Sequence, residues 1–164
     1  MTLIDANGVQ VNITDTGAPA GRPSAPSVVF GHGLLFSGHM FEAQIERLRT
    51  RYRCVAIDWR GQGKTPATSD GYDMDTLFED AAAVIEGLDV GPVHYVGLSM
   101  GGFVGMRLAA RRPELLRSLT LLDTSADPED PDMAKQDRLL AKIYRVVGIR
   151  PLAGKVEKLM FGPT

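Results

Sequence analysis

The stretch Gly97-Leu98-Ser99-Met100-Gly101 constrains this chain more than any other. Before it runs Val93-His94-Tyr95-Val96, a short β-branched and aromatic segment with strand character. After it, residues 101–110 read as a helix that ends near Arg111-Arg112-Pro113. Proline cannot continue a helix, and two arginines suit its negative end. A serine between glycines at a strand-to-helix junction is the pattern of a nucleophile elbow, in which the hydroxyl rides on a sharp backbone corner. Gly97 and Gly101 leave room for that corner, and Gly101, Gly102 and Gly105 let the helix lie close to a sheet. The helix start aims backbone N–H groups at whatever binds above the serine.

A second segment belongs with the elbow. Ser27-Val28-Val29-Phe30-Gly31-His32-Gly33-Leu34-Leu35 is a strand running into a His-Gly turn. Acyl transfer to a serine builds negative charge on the carbonyl oxygen, and two backbone N–H donors about 3 Å away stabilise it. The residue after the nucleophile, Met100, supplies one; the loop after an earlier strand supplies the other, with Leu34 the candidate. His32 and Gly33 then shape that loop, and His32 is not the base.

Strand and helix signals alternate along the rest of the chain. Val9 to Thr14 has the period-2 pattern of a half-buried strand, and residues 17–26 are a Gly/Pro/Ala/Ser-rich surface connection. Phe41, Ile45 and Leu48 predict a helix near residues 40–50. Cys54 to Asp58 is the next strand, followed by a loop to Pro66. Asp75-Thr76 opens another helix, with Thr76 and Glu79 at capping-box spacing and Leu77, Ala81, Val84, Ile85 and Leu88 on its buried face. Leu116 to Leu122 is one more strand. This order predicts an α/β fold, a mostly parallel sheet with helices on both faces and a site beyond the carboxyl ends of the strands. His32, Asp58, Ser99 and Asp123 each follow a strand end, so they share one rim. From Asp127 the style changes to an acidic, proline-broken connection. Leu139, Leu140, Ile143, Val146 and Val147 then mark a helix, and Pro151 to Met160 a second short one. The expected organisation is a core over residues 1–126 and a helical segment over 127–164.

Composition narrows the partners. The chain has 164 residues, one domain's worth, and 44% of them are hydrophobic, enough for a core. A net charge of −2 gives no basis for a nucleic-acid or anionic-membrane partner. The single cysteine, Cys54, lies in a strand-like run and reads as a buried thiol in a reducing compartment. No signal-peptide pattern opens the chain, and no apolar run approaches the ~20 residues of a membrane span. A cytoplasmic location is the expectation.

His32-Gly33, Asp58-Trp59-Arg60-Gly61-Gln62-Gly63 and Gly97-Leu98-Ser99-Met100-Gly101-Gly102 occur in the order and spacing that resemble an α/β-hydrolase of the cap-bearing, enol-lactonase and haloperoxidase-like group. The resemblance implies a helical cap over 127–164, a small ester or lactone substrate, an acyl-enzyme at Ser99, and no metal or organic cofactor. Serine at position 99 separates the chain from haloalkane dehalogenases and epoxide hydrolases, which carry aspartate there. The family order is Ser, then Asp or Glu, then His. Yet His32, His39 and His94 all precede Ser99. Asp123 is a candidate acid. The expectation is that the remaining strands and the histidine lie beyond residue 164, leaving strand 116–122 as an uncovered edge open to self-association. Two alternatives keep the same residues: a catalytically silent ligand-binding pseudo-hydrolase, and a cofactor-free haloperoxidase-like perhydrolase.

Overall fold

The computed structural model describes residues 2–127 and, beyond them, only Asp132, Lys135, Ala141, Lys142, Gly148 and Gly154. The helices expected within 139–147 and 151–160, and with them the cap over 127–164, lie outside the described residues apart from those isolated positions. The chain divides into two compact units, Met1–Ala126 and Asp127–Thr164. The first holds the whole described sheet.

That sheet begins with a hairpin, β1 (Thr2–Ala6) against β2 (Val9–Asp15), antiparallel with Ala6 opposite Val9. Asn7 and Gly8 make the two-residue turn with φ of 47° and 78°. Both central residues of such a turn need positive φ, and Asn-Gly accepts that at least cost. β1 is absent from the strands read off the sequence, although Asn-Gly is a strong hairpin signal. The remaining strands are β3 (Ser27–Gly31), β4 (Arg53–Ile57), β5 (Val93–Leu98) and β6 (Leu116–Leu122). The order across the sheet is β1-β2-β4-β3-β5-β6. β2 pairs antiparallel with β4, and the pairs β4–β3, β3–β5 and β5–β6 are parallel.

β3 and β4 form the middle of the sheet, and all their residues but Arg53 are buried, as expected of parallel strands covered on both faces. Period-2 alternation divides them between two cores. Val28, Phe30, Cys54 and Ala56 pack on one face with Phe41 and Ile45, the latter from α1 (Glu42–Leu48), which a 3₁₀ turn at Gly38–Phe41 precedes. Val29, Val55, Ile57 and Tyr95 pack on the other, beneath α2 (Met74–Gly87) and α3 (Met100–Arg111). The predicted buried face of α2, Leu77, Ala81, Val84, Ile85 and Leu88, is buried throughout.

The start of α2 differs from expectation. Asp73 is its cap: its Oδ1 accepts the N–H groups of Asp75 and Thr76 at 3.0 and 2.9 Å, and its Oδ2 the Thr76 hydroxyl at 2.7 Å. Thr76 is thereby held inside the first turn, and the Thr76–Glu79 box does not form. Cys54 is fully buried, and burial pushes its thiol up to about 11, so it is not a reactive thiolate. Among the described residues no helix is long and apolar enough to cross a membrane.

Candidate active site

Register aligns the carboxyl ends of the four parallel strands: Ile57 with Gly31, Gly31 with Gly97, and Leu98 with Leu122. The residues that follow, Asp58, His32, Ser99 and Asp123, therefore stand along one end of the sheet. Ser99 occupies the turn between β5 and α3 with φ 49° and ψ −112°. That region is sparsely populated by residues with a Cβ and is kept only where surroundings hold it. The restraints here are explicit. The Ser99 N–H donates to Leu122 O at 2.9 Å, and its carbonyl accepts from Gly102 N, Phe103 N and the Thr124 hydroxyl at 2.8, 3.1 and 3.1 Å. Every backbone polar atom of Ser99 is engaged, whereas its half-buried side-chain hydroxyl has no hydrogen-bond partner among the described residues.

Glycines make the corner sterically feasible. A Cβ on Gly97 would strike the Gly101 carbonyl, and one on Gly101 would strike the carbonyl of Gly31 on the neighbouring strand. A Cβ on Gly105 would come within 2.8 Å of Leu119 and 2.9 Å of Tyr95. The front of α3 thus rests directly on sheet backbone, and its first N–H groups open beside Ser99.

The His-Gly loop lies against the same point: a Cβ built on Gly33 would stand 3.6 Å from Ser99 Cβ. His32 is fully buried. Its Nε2 accepts the Trp59 N–H at 3.1 Å, which leaves the proton on Nδ1, 2.7 Å from Gly33 O. Burial holds the imidazole below its ordinary pKa, against the pull of the Gly33 hydrogen bond and the Asp58 carboxylate. Both ring nitrogens are occupied, so His32 has no lone pair to offer a serine. It fixes a peptide plane instead. Gly33 O and Leu34 N–H belong to one planar unit and point opposite ways. His32 and the Phe36 N–H (3.3 Å) both bind Gly33 O. The Leu35 N–H is taken by Gln62 Oε1 at 2.7 Å. The Leu34 and Met100 N–H groups have no partner among the described residues.

The other titratable candidates stand apart. The Asp58 carboxylate is buried and accepts from Asn12 Nδ2, Gly38 N and Lys64 N at 2.8, 2.7 and 2.9 Å. It fastens loops to one another. Asp123 is exposed with φ 44°. His94 bonds Ser118 Oγ at 2.7 Å from within β5, and exposed His39 pairs with Glu42 at 3.4 Å. Gln62, Trp59 and Thr124 are parts of the site that sequence reasoning missed. For the first two the available signal was the Asp58–Gly63 block itself, with polar and aromatic groups set among glycines; Thr124 carried none.

The comparisons with known proteins agree with the fold. A family model described as alpha/beta hydrolase fold matches residues 26–151. The chain is 30% identical over 120 residues to 2-(acetamidomethylene)succinate hydrolase of Mesorhizobium japonicum, covering 73% of this chain and 41% of that protein. Among solved structures, the enol-lactonase from Burkholderia xenovorans LB400 superposes with TM-score 0.84 at 25% identity, covering 96% of this chain and 58% of the lactonase. A thermophilic esterase from Thermogutta terrifontis gives 0.80 at 28% identity, with 90% and 52% covered. The chain spans about half the length of these relatives. With the family model matching most of its length over the very strands, elbow and loop just described, this chain belongs to the alpha/beta hydrolase fold family.

Proposed function

We propose that the chain carries the nucleophile and the oxyanion-binding half of a serine hydrolase that cleaves a small ester or lactone through an acyl-enzyme at Ser99. The observation that carries this reading is the Ser99 turn: a positive-φ backbone corner with all its polar backbone atoms tied and its hydroxyl without a partner among the described residues. Ser99 Oγ attacks the acyl carbon, the carbonyl electrons move to oxygen, and the Leu34 and Met100 N–H groups receive the oxyanion. The Ser99 proton passes to a base and from it to the departing alkoxide; water then repeats the sequence to free the acid. None of the three histidines fits that role: His32 is fully engaged, exposed His39 pairs with Glu42, and His94 lies five residues back along β5, roughly 16 Å from the turn, so this reading needs a histidine that these residues do not supply. Asp123 is the candidate to orient that histidine. The similarity to an enol-lactonase and an esterase supports an ester or lactone substrate.

Fluorophosphonate labelling with intact-mass readout tests the reading. We expect one adduct, at Ser99, absent in Ser99→Ala. Its rate should be that of a serine with an oxyanion hole but no base, on the order of 10³–10⁴ above the uncatalysed reaction. Labelling that persists in Ser99→Ala overturns it. Absence of labelling together with saturable lactone binding favours a silent ligand-binding module, a reading supported by the lack of a free histidine at Ser99. The outer edge of β6, with Leu121 and Leu122 exposed, supports self-association of the chain; sedimentation that stays monomeric as concentration rises removes that part.

A further inference from the structure

We propose that Gln62 is a positioning residue for the oxyanion-binding loop, acting through its side-chain bond to the Leu35 N–H. The inference rests on the proposed role of Leu34 above. The segment 32–38 after β3 is fastened to the segment 58–64 after β4 at both ends: the Trp59 N–H donates to His32 Nε2 (3.1 Å), Trp59 Nε1–H to His32 O (2.8 Å), and the Gly38 N–H to Asp58 Oδ1 (2.7 Å). Gln62 alone among these contacts grips the middle, and it does so at the residue next to Leu34.

The middle of the loop is exposed, and Gln62 is the side chain that reaches it from the neighbouring segment. Leu34 and Leu35 are 56% and 54% exposed, so core packing does not fix them. Leu35 also has φ 67°, a conformation a leucine keeps only under restraint. Two bonds restrain it: the Phe36 N–H to Gly33 O closes a turn around Leu34 and Leu35, and the Gln62 oxygen holds the Leu35 N–H. The Gln62 backbone is itself set by a turn, its N–H donating to Trp59 O at 2.9 Å and its carbonyl accepting from the Thr65 N–H at 3.2 Å. Thus His32 fixes the peptide before Leu34 and Gln62 the peptide after it. The Leu34 N–H between them has no partner among the described residues. Without the Gln62 oxygen, the Leu34–Leu35 peptide is held from one side only; the two peptides meet at the Leu34 Cα, so its rotation pulls on the Gly33–Leu34 plane and weakens the aim of the donor.

Gln62→Met keeps length while removing the strong acceptor. Saturation kinetics of fluorophosphonate labelling at Ser99 separate the limiting rate from the half-saturating probe concentration. We expect the limiting rate to fall about tenfold, short of the 10²–10³ lost when a donor is removed outright. The half-saturating concentration and the melting temperature should stay unchanged, and the Leu35 amide should exchange faster with deuterium. A limiting rate unchanged while the Leu35 amide is freed overturns the role of Gln62 alone. So does a loss of rate that tracks a lower melting temperature. A wild-type chain whose labelling does not occur at Ser99 overturns the underlying reading and this role with it.

Discussion

His32 shows how one residue can be essential to a site without doing its chemistry. A histidine beside a serine proposed as the nucleophile invites assignment as the base, yet its hydrogen bonds oppose that: one nitrogen accepts from Trp59, the other donates to Gly33. The neutral Nδ1–H form is the only one that satisfies both. Protonation would turn the Nε2 acceptor into a donor facing the Trp59 N–H. Burial, the largest influence, lowers its folded pKa below the ordinary value. The unfolded chain therefore binds this proton more readily over the interval between the two values. The stability contributed by neutral His32 is full above about pH 6.5, the unfolded value, and declines as pH falls through it toward the lowered folded value. We expect ¹⁵N spectra of the ring to show an unprotonated Nε2 at pH 6.5, with a titration midpoint below that, and the Trp59 amide shifting with the same midpoint. A midpoint at or above 6.5 contradicts the assignment.

At the scale of elements, the elbow is a helix laid so close on a sheet that at Gly101 backbone meets backbone. Gly101 meets backbone, the Gly31 carbonyl, which cannot move without disturbing β3; Gly105 meets side chains, the Leu119 Cδ1 methyl and the ring edge of buried Tyr95, which can give more than backbone can. Gly101→Ala should therefore cost more than the ~1–3 kcal/mol usual for overpacking, and Gly105→Ala a value within that range. Urea melts of the two variants check the order; equal losses would mean that α3 slides rather than rests on β3. This element was the most legible part of the chain. Strand, turn and helix signals met at Ser99, and β6 was read with the limits it has, Leu116–Leu122, because local pattern decides them. The cap of α2 was misplaced because Asp73, Asp75 and Thr76 all carry capping oxygens, and only the extended backbone at Asp73 selects among them. The positive φ of Leu35 left no trace in composition, since hydrogen bonds, one of them from a distant segment, and not leucine's own preference, impose it.

Over the whole molecule, the sheet order and the ties between distant segments were not legible, since pairing partners are chosen by long-range packing. The buried pair Arg60–Asp80 is the clearest case. Arg60 Nε and Nη2 donate to Asp80 Oδ2 and Oδ1 at 2.5 and 2.7 Å. Asn7 Nδ2 donates to Asp80 Oδ1 and the Arg60 guanidinium to Asn7 O, each at 2.9 Å. The side chains are 8% and 2% exposed. One signal was available: Asp80 falls between Leu77 and Ala81 on the buried face of α2, where an unpaired carboxylate would not be tolerated. The cluster joins the β1–β2 turn, the loop after β4 and α2. Arg60 also lies between Trp59 and Gln62, which bond the His-Gly loop, so the ion pair anchors the same turn. Replacing both charges by apolar groups is often tolerated elsewhere, but here the Asn7 amide and carbonyl would lose their partners too. Removing one partner leaves the other charge buried and alone, which costs about 3–5 kcal/mol. Asp80→Ala should lose that much in urea melts, and amides of both β1 and the Trp59–Gln62 turn should exchange faster. A loss below about 1 kcal/mol, with exchange unchanged in the hairpin, would mean the three segments are held by their apolar contacts and the charges are incidental.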